Sequence, residues 1–306
     1  MQLIDTVRTF LHEVGYDEKR PLLLGYSGGP DSKALLYALL EAGIQHLHIA
    51  HVDHGWREES GKEADAIEQE AAALSLPCHI HKLTEKCSGN WEETGRLARI
   101  QFYTRLFEAV PFQAILVGHH ANDLVETALK QLFEGAHLCN LRGMEKQSVL
   151  YGIPFWRPFL DTPKSDLLEF VQSRSLPYFV DRTNLDPKFL RTRLREEMIP
   201  QLEASFGKNI FGNLVLLSER SQELKTYLDR QIEPIWEMRR KDPSGWTLDL
   251  RGVERILSRH LLQSKLPRKL PRGVLESALD ALQKGSQFQV SDQIRVEKGS
   301  LFFRSK

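Results

Sequence analysis

The stretch Leu22-Leu23-Leu24-Gly25-Tyr26-Ser27-Gly28-Gly29-Pro30-Asp31-Ser32-Lys33 decides the fold of this chain. It begins with a short apolar run, typical of a buried strand, and the apolar residues 34–40 after it predict a helix. Between the two, adjacent glycines allow turn dihedrals and a close approach of backbone amides to an anion. The helix start adds unpaired N–H groups and the positive end of the helix dipole, and two serines add hydroxyl donors. The turn therefore predicts a site for phosphate or pyrophosphate.

Two common phosphate-binding motifs do not describe this turn. A Walker loop has its lysine before the serine or threonine, whereas Lys33 follows Ser32 here. The glycine pair also lacks the Gly-x-Gly-x-x-Gly spacing of dinucleotide-binding turns. On these residues alone, a glycine-rich strand-to-helix turn without a ligand remains the alternative.

Alternation of strands and helices predicts an α/β fold with a doubly wound parallel sheet over residues 1–205. The expected strands are residues 22–25, 45–55, 78–83, 114–118, 151–155 and 177–180. Polar groups follow several of these strands, namely the turn 27–32, Asp53-His54, His119-His120 and Asp181. Since ligands of such sheets bind beyond the carboxyl ends of the strands, these groups predict one cleft.

The pattern changes after residue 205, where we place a domain boundary. An apolar stripe at helical spacing runs over residues 210–235, a shorter helix is expected at 274–283, and Lys298-Gly299 predicts the turn of a terminal hairpin. Residues 206–306 are thus expected to form a smaller, mostly helical domain. From residue 201 onward there are 19 lysines and arginines against 13 acidic residues, whereas residues 1–200 have 22 against 28. This bias favours a polyanionic partner for the second domain.

Cysteine use and hydropathy narrow the class of protein. Cys78, Cys87 and Cys139 form neither a Cys-x-x-Cys pair nor an even disulfide set, so we expect reduced thiols in a cytoplasmic protein. We expect no signal peptide, because the first residues contain no basic region followed by a long apolar run, and no window approaches the eighteen apolar residues of a membrane span. We therefore expect no membrane partner.

Three pairs of charged residues share one helix face each. They are Asp123 and Glu126, Arg96 and Arg99, and Arg191 and Arg195. The two carboxylates either cap a helix or hold a cationic amine, and the arginines lie either on a solvated face or at a phosphate. His46, His48, His51 and His54 do not fall on one strand face, so a zinc site is disfavoured.

Five blocks of this sequence, taken in order, resemble the tRNA(Ile)-lysidine synthetases, a family of PP-loop ATP pyrophosphatases. The blocks are Ser27-Gly28-Gly29-Pro30-Asp31-Ser32, His51-Val52-Asp53-His54-Gly55-Trp56-Arg57, the segment 89–99, Gly118-His119-His120-Ala121-Asn122-Asp123-Leu124-Val125-Glu126-Thr127, and the segment 181–195. Trp56, Leu124, Glu134 and Thr192 depart from the residues usual in that family.

The resemblance implies a two-step ligation. ATP would adenylate the C2 oxygen of the wobble cytidine in an isoleucine tRNA with a CAU anticodon, and the amine of free L-lysine would then displace AMP. It implies ATP as co-substrate with Mg²⁺, held by Ser27, Gly28, Gly29, Pro30, Asp31 and Ser32, with Asp31 as a candidate metal ligand. It implies catalytic roles for Asp31, Arg96, Arg99 and His119, lysine binding by Asp123 and Glu126, and contact of Arg191 and Arg195 with substrate or tRNA phosphate.

Other functions stay open beside this one. A tRNA thiolase of the same fold is disfavoured because it needs cysteines to carry sulfur or hold a cluster. A small-molecule amidotransferase would need a glutaminase domain, of which there is no sign. A non-catalytic nucleotide- or RNA-binding module is the rival from a different class.

Overall fold

The computed structural model describes residues 2–53, 55, 60–83, 91–180 and 188–304, with the side chains of residues 91–93 excepted. The chain divides into two compact units, Met1–Ser218 and Glu219–Lys306. The expectations for His54, Trp56, Arg57, Cys87, residues 89–90 and residues 181–187 lie outside the described residues.

The first unit holds a six-stranded sheet and its helices. Its strands are β1 (Leu22–Gly25), β2 (Leu47–Asp53), β3 (Cys78–Lys82), β4 (Ile115–Val117), β5 (Gln147–Leu150) and β6 (Ile153–Trp156). Its helices are α1 (Gln2–Glu13), α2 (Pro30–Glu41), α3 (Ser60–Ala73), α4 (Trp91–Ala109), α5 (Ala121–Phe133), α6 (Lys164–Ser173), α7 (Leu190–Arg193) and α8 (Ile199–Phe206). Among the described residues, no helix is long and apolar enough to cross a membrane.

The strand order is β3-β2-β1-β4-β6-β5, and every pair is parallel except the antiparallel edge pair β5–β6. The chain leaves β1 toward β2 on one side and returns to β4 on the other. The order therefore reverses between β1 and β4, which is where open α/β sheets bind ligands. The prediction of a doubly wound sheet is confirmed, with an antiparallel strand added at one edge.

The buried apolar strand β1 separates two cores. Leu22 and Leu24 pack with α1, α2, α3 and α6 on one face, and Leu23 packs with Phe102 and Tyr103 of α4 on the other. All three leucines are fully buried, because successive side chains of a strand point to opposite faces and both faces are covered. Burial of both faces of β1 therefore explains the continuous apolar run of residues 22–24 in the sequence.

One predicted strand is wrong, and another region contains two strands where one was expected. Residues 177–180 form no strand, although the amide of Phe179 donates to the Gly28 carbonyl at 2.9 Å. This segment lies on the turn after β1 and does not join the sheet. The expected strand at 151–155 is instead the hairpin β5–β6, which turns at Tyr151-Gly152.

The helix α9 (Ile210–Glu237) follows the predicted stripe and contains Pro234. The division between the units falls within it, beyond the boundary near residue 205 expected from the sequence. The second unit adds β7 (Arg240–Asp242), β8 (Gly245–Asp249), α10 (Arg255–Ser264), α11 (Arg272–Lys284), β9 (Phe288–Ser291), β10 (Ile294–Glu297) and β11 (Ser300–Arg304). The terminal hairpin β10–β11 is confirmed, and it belongs to a five-stranded antiparallel sheet of order β7-β8-β11-β10-β9.

Candidate active site

The turn between β1 and α2 is shaped by glycine. Gly28 has φ of +73°, a conformation that other residues rarely adopt. A Cβ atom there would lie 2.4 Å from the ring of Phe179, so a side chain at Gly28 is also excluded by contact. The aromatic ring packed against the glycine therefore fixes the path of the backbone at the predicted phosphate site.

Two serine hydroxyls hold the turn closed. The hydroxyls of Ser27 and Ser32 lie 3.1 Å apart, and Ser32 Oγ donates to the Gly29 carbonyl at 3.1 Å. The Gly29 amide in turn donates to Ser27 Oγ at 3.3 Å. Pro30 stands in the first turn of α2, and no described side chain caps this helix start. The helix dipole and its terminal amides thus suit an anion at the turn.

A half-buried carboxylate ties both ends of the turn to α3. Glu70 accepts from Lys33 Nζ with both oxygens at 2.7 Å, from Tyr26 OH at 2.7 Å and from Tyr37 OH at 3.2 Å. Tyr26 precedes the turn and Lys33 follows it, and both are buried. Burial, reinforced by the Glu70 carboxylate, raises the pKa of Tyr26 and of Tyr37. The Lys33 ammonium group is therefore bound by Glu70 beneath the turn.

The end of β4 lies against the start of α2. A Cβ atom on Gly118 would come within 2.9 Å of the Asp31 carbonyl carbon and oxygen, so only glycine allows this approach. The next two residues, His119 and His120, consequently reach the level of the turn. This contact across the β1–β4 switch point places the histidine pair next to the turn, the arrangement that their positions at strand ends predicted.

His120 lies between two carboxylates. Its Nε2 atom is 3.6 Å from Asp31 Oδ2 and 3.5 Å from Asp123 Oδ2, and the side chain is 1% exposed. Burial by itself would raise the pKa of Asp31. The hydrogen bond and charge of His120, with the charges of Lys164 and Arg195, outweigh burial and lower that pKa. Asp31 therefore stays ionised.

Asp31 has the properties of a metal ligand. Its Oδ1 atom is buried and has no hydrogen-bond partner. A buried carboxylate oxygen without a partner is costly unless something else satisfies it, and carboxylate oxygens are the ligands that Mg²⁺ prefers. The residue thus fits the Mg²⁺ that nucleotide chemistry at the turn would use.

His119 is nearly enclosed among charged side chains. Burial lowers its pKa to about 4, opposed by Asp123 and assisted by the positive charges of Arg157, Arg191 and Arg99. Its Nδ1 atom is buried without a partner. Since its pKa lies well below 7, the imidazole is neutral at physiological pH and offers a hydrogen bond without a charge.

The carboxylates of α5 have different surroundings. Asp123 Oδ2 accepts from the His120 amide at 3.0 Å and so caps the helix, the simpler of the two roles that the sequence allowed. Glu126 is 2% exposed, and its Oε1 accepts from Arg195 Nε at 2.7 Å and Nη2 at 2.6 Å. Its Oε2 atom is buried without a partner. Burial raises the pKa of Glu126 in spite of Arg195, so the single arginine does not fully compensate this carboxylate.

Arg195 reaches Glu126 from a π-helical turn. This turn, Leu194–Met198, joins α7 to α8. π-helical turns are rare in proteins, and those that occur are often found at functional sites. Burial would lower the pKa of Arg195, but Glu126 and Asp123 outweigh burial and raise it. Arg191, on the preceding turn, is exposed but close enough to act on His119. Both arginines of the predicted pair are thus near the α5 carboxylates.

The other predicted pair of arginines is divided between two places. Arg99 acts on His119, but Arg96 Nη2 lies 3.4 Å from the hydroxyl of Tyr151 at the β5–β6 turn. The two remain on one face of α4. Through its contact with Tyr151, Arg96 reaches the edge of the sheet.

The histidines of β2 have structural contacts. His48 Nδ1 lies 3.0 Å from His79 Nε2, and His51 Nδ1 lies 2.9 Å from the Tyr26 carbonyl. Burial lowers the pKa of each, which keeps them neutral at pH 7.

Sequence reasoning missed several residues that the fold brings to the site. They are Glu70, Phe179, Lys164, Arg157 as a neighbour of His119, and His120 as the link between two carboxylates. Two of them carried a signal, because His120 adjoins His119 at a strand end and Arg157-Pro158-Phe159-Leu160 resembles the Arg-Pro-Leu-Leu segment of the lysidine synthetases. The others come from distant segments with no motif of their own.

Comparison with known proteins agrees with this geometry. A family model described as a PP-loop domain matches residues 2–202. The chain is 34% identical over 320 residues to the tRNA(Ile)-lysidine synthase of Protochlamydia amoebophila, covering all of this chain and 70% of that protein. It is 36% identical over 279 residues to that of Chlamydia caviae, covering 83% of this chain and 88% of that protein.

A solved structure extends the comparison to the fold. The U34-tRNA thiolase NcsA from Methanococcus maripaludis superposes with a TM-score of 0.58 at 18% identity, covering 72% of this chain and 78% of that one. At this identity the likeness concerns the fold alone. The fold, the sequence family and the identity to these relatives agree, and the chain belongs to the tRNA(Ile)-lysidine synthases, ligases of the PP-loop family.

Proposed function

We propose that this chain joins free L-lysine to C2 of the wobble cytidine of an isoleucine tRNA with a CAU anticodon, through an adenylated tRNA. Membership of the lysidine synthases supports tRNA lysidine formation with ATP. The observation that carries the proposal is the position of His120. One nitrogen of its ring lies within 3.6 Å of Asp31 on the phosphate side and within 3.5 Å of Asp123 on the amine side. A phosphate subsite and an amine subsite this close suit a reaction that first activates the tRNA with ATP and then couples the activated tRNA to lysine.

In the first step, the cytidine C2 oxygen attacks the α-phosphorus of ATP. An oxygen–phosphorus bond forms, the bond from the α-phosphorus to the bridging oxygen breaks, and pyrophosphate leaves. The turn Ser27–Ser32 holds the phosphates through backbone amides and the two hydroxyls. Asp31 Oδ1 would hold Mg²⁺, which when bound neutralises phosphate charge.

In the second step, the lysine amine attacks C2, a carbon–nitrogen bond forms, and AMP leaves with the former C2 oxygen. Free lysine has a side-chain pKa of about 10.4, so it arrives as an ammonium ion and must lose a proton. Asp123 and Glu126 suit the ammonium form, because Glu126 Oε2 is a buried acceptor without a partner. Neutral His119, with Arg99 nearby, suits the adenylated intermediate.

The remaining cations suit the RNA. Arg191 is exposed beside the cleft. Arg195 contacts the amine subsite through its hydrogen bond to Glu126. We assign these two arginines to substrate or tRNA phosphate. The basic region after residue 205 is proposed to bind the body of the tRNA through its phosphates.

Sulfur transfer, the activity of the thiolase with a similar fold, is not supported by the described thiols. Burial, with a smaller effect of Glu68, raises the pKa of Cys78 to about 11, and Cys139 is buried. A thiol must ionise to attack or to bind a cluster. Lysine ligation therefore stays the better proposal.

Radiolabelled lysine tests the proposed function. The purified chain is incubated with Mg²⁺, labelled lysine and a CAU-anticodon tRNA transcript, with and without ATP. A matched transcript with uridine at the wobble position serves as the control. We expect label in the first tRNA only, with ATP, and equal amounts of AMP and pyrophosphate. Pyrophosphate release that does not depend on tRNA, or no labelled tRNA at all, would refute the proposal.

A further inference from the structure

The turn of the β5–β6 hairpin carries an unusual residue. Tyr151 has φ of +54° and Gly152 has φ of +80°, so both central residues of this two-residue turn are left-handed. Asparagine, aspartate and glycine are the residues that suit such a turn. A bulky aromatic side chain at positive φ is uncommon and strained, and an observed strain of this kind points to a use.

Packing within the chain does not explain the tyrosine. Its side chain is 61% exposed, and it follows two further exposed apolar residues, Val149 (69%) and Leu150 (40%). The strained conformation thus presents an aromatic ring to solvent at the tip of the hairpin. An exposed aromatic ring on a residue with a strained backbone conformation is suited to contact with another molecule.

The guanidinium group of Arg96 places positive charge next to the Tyr151 ring. The guanidinium carbon of Arg96 lies 5.9 Å from the Tyr151 ring centroid, and its Nη2 lies 3.4 Å from the hydroxyl. Arg99 is three residues further on the same helix face and acts on the pKa of His119 in the cleft. Arg99 forms no ion pair with any residue that the structure describes. Two arginines therefore connect the hairpin tip with the reaction site.

We propose that Tyr151 is a stacking platform for an unpaired base of the tRNA, next to the base that reacts. Unpaired RNA bases are recognised by stacking on aromatic rings and on arginine planes, with nearby cations on the phosphates. The exposed ring supplies the first contact, and Arg96 and Arg99 supply the charge complementarity. The inference rests on the proposed function, because it takes RNA as the substrate.

Tyr151→Asn is the variant that tests the platform. Asparagine suits the left-handed turn, so we expect a melting temperature equal to or higher than that of the parent chain. Loss of one stacked base is expected to raise the KM for tRNA and the Kd for tRNA by about 5- to 100-fold, with the KM for ATP unchanged. Tyr151→Phe keeps the ring and should stay within about threefold of the parent chain. Phe133→Ala removes an exposed aromatic at the end of α5 (64% exposed), to which no ligand contact is assigned, and serves as the matched control.

Two results would overturn the platform. One is a Tyr151→Asn chain with an unchanged Kd for tRNA. The other is self-association of the parent chain in sedimentation that Tyr151→Asn abolishes without changing tRNA affinity, which would make the tip a contact between copies. Binding of the transcript without ATP or lysine is measured separately. A failure of lysine ligation therefore refutes the proposed function without deciding the platform.

Discussion

The two sides of the cleft are constructed in opposite ways. On the phosphate side, the hydroxyls of Ser27 and Ser32 satisfy each other and the backbone, and Glu70 anchors both ends of the turn. On the amine side, Glu126 has one oxygen on Arg195 and the other buried without a partner. The hydroxyls of the turn are thus paired within the protein, and the carboxylate oxygens that lack a donor are Asp31 Oδ1 on the phosphate side and Glu126 Oε2 on the amine side.

This difference follows from what each side is proposed to bind. A phosphate is recognised by a fixed arrangement of amides and hydroxyls, which must be rigid before the ligand arrives. A lysine ammonium is recognised by charge, so the acidic subsite keeps an unsatisfied oxygen that only a cation satisfies. We therefore expect variants of the phosphate side to lose stability together with ATP binding. Variants of the amine side should change lysine binding alone.

The largest effect is expected for Glu70→Gln, which breaks the anchor of the phosphate side. It leaves the Lys33 ammonium buried without its carboxylate, and removing one partner of a buried ion pair costs about 3–5 kcal/mol in the free energy of unfolding. Urea unfolding measures this loss, and the KM for ATP should rise more than the KM for lysine.

The double variant Lys33→Met/Glu70→Gln is the control for this anchor. It removes both charges, so most of the lost stability should return. A double variant as unstable as Glu70→Gln would show that the ion pair is not the cause.

Asp31→Asn removes the charge of the proposed Mg²⁺ ligand while keeping the shape of the side chain. Loss of one preorganised electrostatic group at a reacting phosphate typically lowers kcat about 100- to 1000-fold. Pyrophosphate release at saturating ATP measures the effect. Asp161→Asn, at an exposed aspartate paired with Lys146, is the control and should be neutral. An Asp31→Asn chain that keeps a tenth of the parent kcat would contradict the assignment.

Asp123→Asn tests the amine side without disturbing the helix cap. The asparagine oxygen still accepts from the His120 amide, but the charge is lost. A hydrogen bond to a charged group contributes about 1.5–3 kcal/mol, so the KM for lysine should rise about 10- to 150-fold. Adenylation of tRNA, followed as pyrophosphate release without lysine, should continue. An unchanged lysine requirement would remove Asp123 from the amine subsite.

The smallest effect is the acid sensitivity contributed by His119. Its pKa in the folded chain is about 4, below the value of about 6.5 expected when unfolded. The unfolded state thus binds more protons between these values, so this contribution is full above pH 6.5 and is lost as the pH falls toward 4. The slope is at most about 1.4 kcal/mol per pH unit for one proton.

His119→Asn isolates this slope from those of the other histidines. Unfolding free energies of the parent chain and the variant are compared at pH 7, 6 and 5. The difference between the two chains should change in favour of the variant as the pH falls. A difference that is constant with pH would show that His119 does not titrate as described.

Much of the site was predictable because its residues stand at strand ends. Ser27–Ser32 and His119 follow apolar runs typical of buried strands, and Asp123 and Glu126 follow at helical spacing. The prediction at residues 177–180 was wrong for a physical reason. An apolar segment after a helix packs equally well as a strand or as a cover, and here Phe179 covers Gly28.

The sequence by itself determined the doubly wound sheet, the glycine-rich turn between β1 and α2 and the family, because these depend on short-range patterns of hydrophobicity, glycine and charge. Only the tertiary structure decided which charges meet. Glu70 reaches Lys33, and Arg195 reaches Glu126, from segments far apart in the chain. Ion pairs of this kind leave no local pattern, since either partner alone has the composition of a solvated surface. Burial selects the partner, and burial is a property of the whole fold.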